Sequence, residues 1–152
     1  MAASLVAMAA RSSPDWDEGG GVAAQAQALR ARVTPLALAD SEAYATVLDA
    51  LSAGDARGDL PTALRRASEL PLAIAEAAAD TATLAAHAAA RCDASVRGEA
   101  LVAVALAEAA ARAGARLVEI NLAAASHDPH HERARRALEE AAAALQVTRG
   151  DQ

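Results

Sequence analysis

The 152-residue sequence has no Phe, no Lys, one Tyr, one Trp and one Cys. With aromatic and β-branched residues this scarce, too few side chains suit a pleated surface, and a sheet is excluded. All positive charge comes from 14 Arg, dispersed among 20 acidic residues for a net charge of -6, so no basic footprint for nucleic acid forms. Cys92 has no second thiol to pair with, which excludes an internal disulfide and fits a reducing cytoplasm, the localisation expected here. No window reaches the eighteen uncharged residues needed to span a bilayer, so no membrane partner is expected. The apolar opening from Met1 to Ala10 lacks a basic flank and is too short for a secretory signal.

What fills the chain is alanine, at 49 of 152 positions, with Leu, Glu and Arg, the strongest helix-forming mixture available. The expected fold is an all-α, mostly antiparallel bundle of about five helices, forming one domain over residues 1–152. Two loops are punctuated by Ser12-Ser13-Pro14 through Gly19-Gly20-Gly21 and by Gly54 through Pro61. Weaker breaks near Arg91-Cys92-Asp93 and His127-Asp128-Pro129 leave predicted helices over 2–11, 22–52, 62–90, 94–125 and 130–146. Pro71 cannot donate to Ala67, so a kink or local break is expected inside the third.

At 100° per residue, Leu29, Val33, Leu36, Asp40, Tyr44, Val47 and Leu51 form one stripe of the second predicted helix, with Asp40 in its middle. In the third, Arg65, Arg66, Glu69, Glu76, Asp80 and His87 share a polar arc opposite Leu64, Ala67, Pro71, Ala75, Ala78 and Ala82. In the fourth, Val102, Leu106, Ala110, Ala113 and Leu117 form the apolar side, opposite Arg97, Glu108, Arg112, Arg116 and Glu119, and Glu99 and Asn121 fall among the apolar residues. A carboxylate there is protonated, paired, or facing a cleft, because burying it alone costs several kcal/mol. In a cleft, desolvation would tune Asp40 or Glu99 for acid/base work. The plainer alternatives are an Arg partner for Asp40, a helix-dipole position for Glu99 and an interhelical hydrogen bond for Asn121.

The run from His127 to Glu132 contains metal-ligating side chains, but His130 and His131 are adjacent and Asp128-Pro129 reads as a helix cap, so no metal site is expected. His87 reads as a solvated member of the charged arc. Gly19-Gly20-Gly21 has neither a preceding strand nor a following Lys-Ser or Lys-Thr, and reads as a flexible turn rather than a phosphate loop.

Three segments carry a resemblance: Ala39-Asp40-Ser41-Glu42-Ala43-Tyr44, Ala63-Leu64-Arg65-Arg66-Ala67-Ser68-Glu69-Leu70-Pro71-Leu72, and Val118-Glu119-Ile120-Asn121-Leu122 with Asp128 beyond. In these, residues 1–128 resemble the cyclodeaminase/cyclohydrolase family, which includes the cyclodeaminase half of formiminotransferase-cyclodeaminase and bacterial methenyltetrahydrofolate cyclohydrolases. The resemblance implies a helical homodimer with a folate site near its interface. It also implies conversion of 5-formiminotetrahydrofolate to the 5,10-methenyl form plus ammonia, or hydration of the methenyl form to 10-formyltetrahydrofolate. Asp40 and Glu99 become the expected catalytic acids, Tyr44 and Asn121 the expected substrate-binding residues, and the folate a substrate with no separate cofactor. Two features depart from the family pattern. The chain begins inside the first helix, without the glycine-rich loop that precedes it in the family, and Gly98-Glu99 stands where Ser-Asp is usual. The readings left open are an upstream start, a non-catalytic helical homodimer, and an interaction module of plain bundle type.

Overall fold

The computed structural model describes residues 1–52 and 59–150, with side chains outside the description at positions 37, 38 and 40–43. Six α-helices run through the described residues: α1 (Ala2–Arg11), α2 (Gly19–Val33), α3 (Leu36–Ser52), α4 (Leu60–Arg91), α5 (Arg97–Asn121) and α6 (Pro129–Gly150), with a 3₁₀ turn at Ala94–Val96 before α5. No strand occurs among them. The expected all-α bundle is present, with one helix more than predicted.

The extra helix comes from Pro35. The predicted helix over 22–52 divides at Thr34 and Pro35, where proline supplies no amide hydrogen to the preceding turn. The expected stripe is also not buried as one face within α3, where Val47 is buried while Tyr44 and Leu51 are exposed. Gly19, Gly20 and Gly21 correct another expectation, because they form the first turn of α2 and not a flexible loop. A Cβ at Gly19 would lie 2.9 Å from the Ala10 carbonyl oxygen, so glycine allows α2 to start directly against the end of α1.

The core is built from small residues. In its middle, Ala75, Ala78, Ala79 and Ala82 of α4 meet Ala107 and Ala111 of α5 and Ala137, Ala141 and Ala144 of α6. At one end α1 and α2 contribute Val6, Ala9, Val22 and Ala26 against Ala85, Ala88 and Val104. At the other, Leu72 packs with Val118, Leu122 and Ala134. Each alanine buries little area, so cohesion depends on how closely the helix backbones approach. Gly114 sets the closest approach: a Cβ there would lie 2.6 Å from the Pro71 carbonyl oxygen.

Of the kink or local break expected at Pro71, no break occurs: α4 continues through it from Leu60 to Arg91. Proline leaves the Ala67 carbonyl without its helical donor. The Asn121 side-chain amide of α5 donates to that oxygen at 3.2 Å.

α5 corrects the largest expectation. Its buried face is Ala100, Ala103, Val104, Ala107, Ala111, Gly114, Ala115 and Val118, and it includes Glu108, which pairs with Arg112. The bulkier apolar side predicted to pack inward points outward, with Val102 52% and Leu117 48% exposed. α5 therefore has two apolar faces, and the alanine face took the core because it admits the closer contact.

Candidate functional site

The expected site residues occupy two ends of the bundle. Asp40 lies in α3, one turn before Tyr44, and its side chain falls outside the described residues. Tyr44 is exposed. The following turn docks α3 on α4 through Val47 against Ala63 and Ala67. Asn121 reaches the same level of α4 through its bond to the Ala67 carbonyl. The α3 segment carrying Asp40 and Tyr44 and the C-terminal end of α5 are thus brought to one end of α4.

Glu99 is at the other end. It occupies the first turn of α5, where the helix dipole favours a carboxylate, and it is half-buried. Twenty-two residues of helix separate it from Asn121, about 33 Å at 1.5 Å per residue. One chain does not assemble Glu99 and Asn121 around one ligand.

Next to Asn121 lies a polar cluster that the sequence reading treated only as a cap. Asp128 Oδ1 accepts from the His130 backbone N–H at 2.9 Å and contacts the His130 ring, while Oδ2 accepts from Arg65 Nε at 2.9 Å. These donors hold the Asp128 carboxyl at about 2, below its ordinary 3.8, the His130 hydrogen bonds acting first. Asp128 is therefore a fixed anion that caps α6 and ties it to α4. Among the described residues, no three His, Cys, Asp or Glu side chains group in a way that could hold a metal ion.

A long groove runs along the polar arc of α4. Its upper part, about 1260 Å³, lies between α2 and α4, and its lower part, about 630 Å³, extends past Arg32 and Asp80 to α6. Arg32 bonds Asp80 at 2.7 Å, and Arg133 bonds the two Glu76 carboxylate oxygens through Nε and Nη2 at 2.9 and 3.0 Å. These ion pairs brace α2 and α6 against α4. His87, expected to be solvated, is half-buried: its Nε2 lies 3.4 Å from Glu18, its Nδ1 3.1 Å from Arg91 and its ring 5.7 Å from that of Trp16. Tyr44, Glu99 and Asn121 are not among the described residues that line the groove.

The sequence matches the family described as Formiminotransferase-cyclodeaminase over residues 1–141. The chain belongs to that family. Among solved structures, formiminotetrahydrofolate cyclodeaminase from Thermotoga maritima is similar, with a TM-score of 0.80 and 24% identity over 96% of this chain and 76% of that one. At that identity the likeness establishes a shared fold. No curated protein sequence matches this chain. The family match spans the segments that contain Asp40, Tyr44, Glu99 and Asn121. No helix among the described residues is long and apolar enough to cross a membrane.

Proposed function

We propose that this chain acts in folate one-carbon metabolism, as a cyclodeaminase converting formiminotetrahydrofolate to methenyltetrahydrofolate and ammonia, or as a methenyltetrahydrofolate cyclohydrolase, and that it works as a homodimer in the cytoplasm. The observation that carries the reading is family membership over residues 1–141, which takes in every expected site segment. The shared end of α3 and α5, where the Asp40 and Tyr44 segment lies near Asn121, supports it.

Both reactions move protons at an amidine-like carbon. In ring closure the second folate nitrogen adds to that carbon and loses its proton, and the departing nitrogen gains one and leaves as ammonia. In the hydrolase direction water adds, a proton leaves, and one carbon–nitrogen bond opens. A carboxylate near the carbon can carry these protons, and Asp40 is assigned that role, with Glu99 as a second acid. Tyr44 orients Asp40 or the ligand, and Asn121 contributes its amide oxygen while its nitrogen holds the Ala67 carbonyl. The folate is the substrate, and the chemistry requires no additional cofactor.

The test follows methenyltetrahydrofolate absorbance with the wild-type chain and with Asp40→Asn, then repeats it from formiminotetrahydrofolate while measuring ammonia. Turnover that Asp40→Asn abolishes without a change in melting supports the assignment. Absence of turnover with both folates leaves the non-catalytic homodimer.

A further inference from the structure

Pro71 has a cost that the packing of α4 does not require. It removes one hydrogen bond from a 32-residue helix, and Asn121 is then brought from α5 to hold the Ala67 carbonyl at 3.2 Å. Alanine at 71 with leucine at 121 would give a continuous helix and a covered end with no polar group left to satisfy. The pair therefore places an amide where helix continuity alone has no use for one.

The bond fixes more than the carbonyl. A carbonyl oxygen only accepts, so the Asn121 nitrogen faces it and Oδ1 is turned away from it. Among the described residues no donor meets Oδ1, and Asn121 is partly exposed. Gly114, two turns earlier on the same face of α5, keeps that helix close at this level, because only a residue without a Cβ fits against the Pro71 carbonyl oxygen. A free asparagine exchanges its oxygen and nitrogen by rotation about χ2, whereas this one is held as an acceptor.

The acceptor lies between two helices. Among the described residues α3 and α5 both pack on α4 but hardly touch each other. The α4 residues that meet α3, Ala63 and Ala67, and those that meet Gly114 of α5, Pro71 and Ala75, are about 80° apart at 100° per residue. The two helices thus flank an angle floored by α4, and Asn121 stands in it at the level of Ala67. Asp40 precedes Val47, which docks on Ala67, by seven residues, about 10 Å along α3 at 1.5 Å per residue. The fixed acceptor and the assigned acid therefore stand at separate levels of one angle.

We propose that Pro71 is a positioning residue for ligand binding: the carbonyl it frees holds the Asn121 amide so that Oδ1 accepts from the amino edge of a pterin, with the one-carbon bridge at the far edge of the ring toward the Asp40 turn. The inference rests on the folate reading above and deepens it, assigning the edge of the ring that this end of the bundle recognises and the residue that orients the recognising group. The amino edge of a pterin carries two donors, the 2-amino group and N3–H, so a fixed acceptor selects it. An amide free to turn would take the 4-oxo group equally well.

The probes are tetrahydrofolate, which lacks the one-carbon unit and is not turned over, and its analogue with methyl in place of the 2-amino group. Calorimetry is expected to show wild type binding tetrahydrofolate about tenfold more tightly, because the analogue strands Oδ1. Pro71→Ala returns an N–H to the Ala67 carbonyl and releases the Asn121 amide. It should reduce the preference to about twofold or less while melting at or above the wild-type temperature. A merely structural role does not produce lost selectivity beside retained or increased stability. An undiminished preference in Pro71→Ala would overturn the proposal, as would a wild type that binds both compounds equally. If Pro71→Ala does not fold, the side-chain amide protons of wild-type Asn121, assigned by their absence from the Asn121→Ala spectrum, decide in its place. One is expected to be shifted downfield and protected from exchange, and two signals typical of a free amide would overturn the proposal. A wild type that binds neither compound would overturn the proposed function and the pterin edge together, and the response of those amide signals to Pro71→Ala would then decide by itself whether Pro71 orients Asn121.

Discussion

Pro71 and Asn121 form a coupled pair whose energy can be measured. Pro71 deprives the Ala67 carbonyl of its helical donor, and Asn121 replaces that donor from α5 at 3.2 Å. Asn121→Ala should therefore leave a part-buried carbonyl unsatisfied, at about 1–2 kcal/mol, between the net value of a hydrogen bond and the full desolvation penalty. Pro71→Ala restores an N–H that reaches Ala67 within α4, so the same Asn121→Ala change in that background should cost only a few tenths of a kcal/mol. The coupling expected is about 1 kcal/mol. It would be read from urea unfolding of the four proteins at one fixed concentration, because the proposed dimerisation would make stability concentration-dependent. Additivity within about 0.3 kcal/mol would show that Asn121 does not serve the carbonyl freed by Pro71, and the account of how α4 stays continuous would fail.

Other outcomes follow from the packing and the charges. Gly114→Ala places a methyl against the Pro71 backbone oxygen, which has no flexible side chain to yield, and should cost about 1–3 kcal/mol in thermal or urea unfolding. Asp128 has a folded value of about 2 against an ordinary 3.8, so its stabilisation is complete above about pH 4 and is lost as pH falls through 2. Asp128→Asn should flatten the fall in stability between pH 4 and 2, and an unchanged slope would show that another group causes it. Asp80→Asn removes the negative charge from the 2.7 Å pair with Arg32, but both side chains are half-exposed, so the loss should stay within about 1 kcal/mol. A larger loss would mean that the groove depends on that brace. Wild-type melting temperature should rise with protein concentration, and a constant value would count against dimerisation.

Helix content was legible because alanine, leucine, glutamate and arginine leave the backbone no better option, and the ends of α1 and α4 fall within two residues of the reading. The polar arc of α4 was legible for the same periodic reason. Pro35 was missed because the stripe through Asp40 keeps its period across the break, and periodicity alone does not register a missing amide hydrogen. Asn121 was correctly singled out as a polar group among apolar neighbours, yet its partner lies 54 residues away, at an oxygen freed by Pro71. The signal for that pairing was present: a proline inside a helix releases one carbonyl four residues earlier, and something must satisfy it.

The sequence by itself determined that the chain is helical, where most helices start and stop, and which side of α4 is polar. Only the tertiary structure decided which apolar side faces inward. On α5 hydrophobicity favours Val102, Leu106 and Leu117, but helix contact is limited by side-chain size, and Gly114 with its alanine neighbours lets α4 and α5 approach where larger residues would hold them apart. The bulkier face was left outside, while Asn121 turns toward α4 and bonds the Ala67 carbonyl.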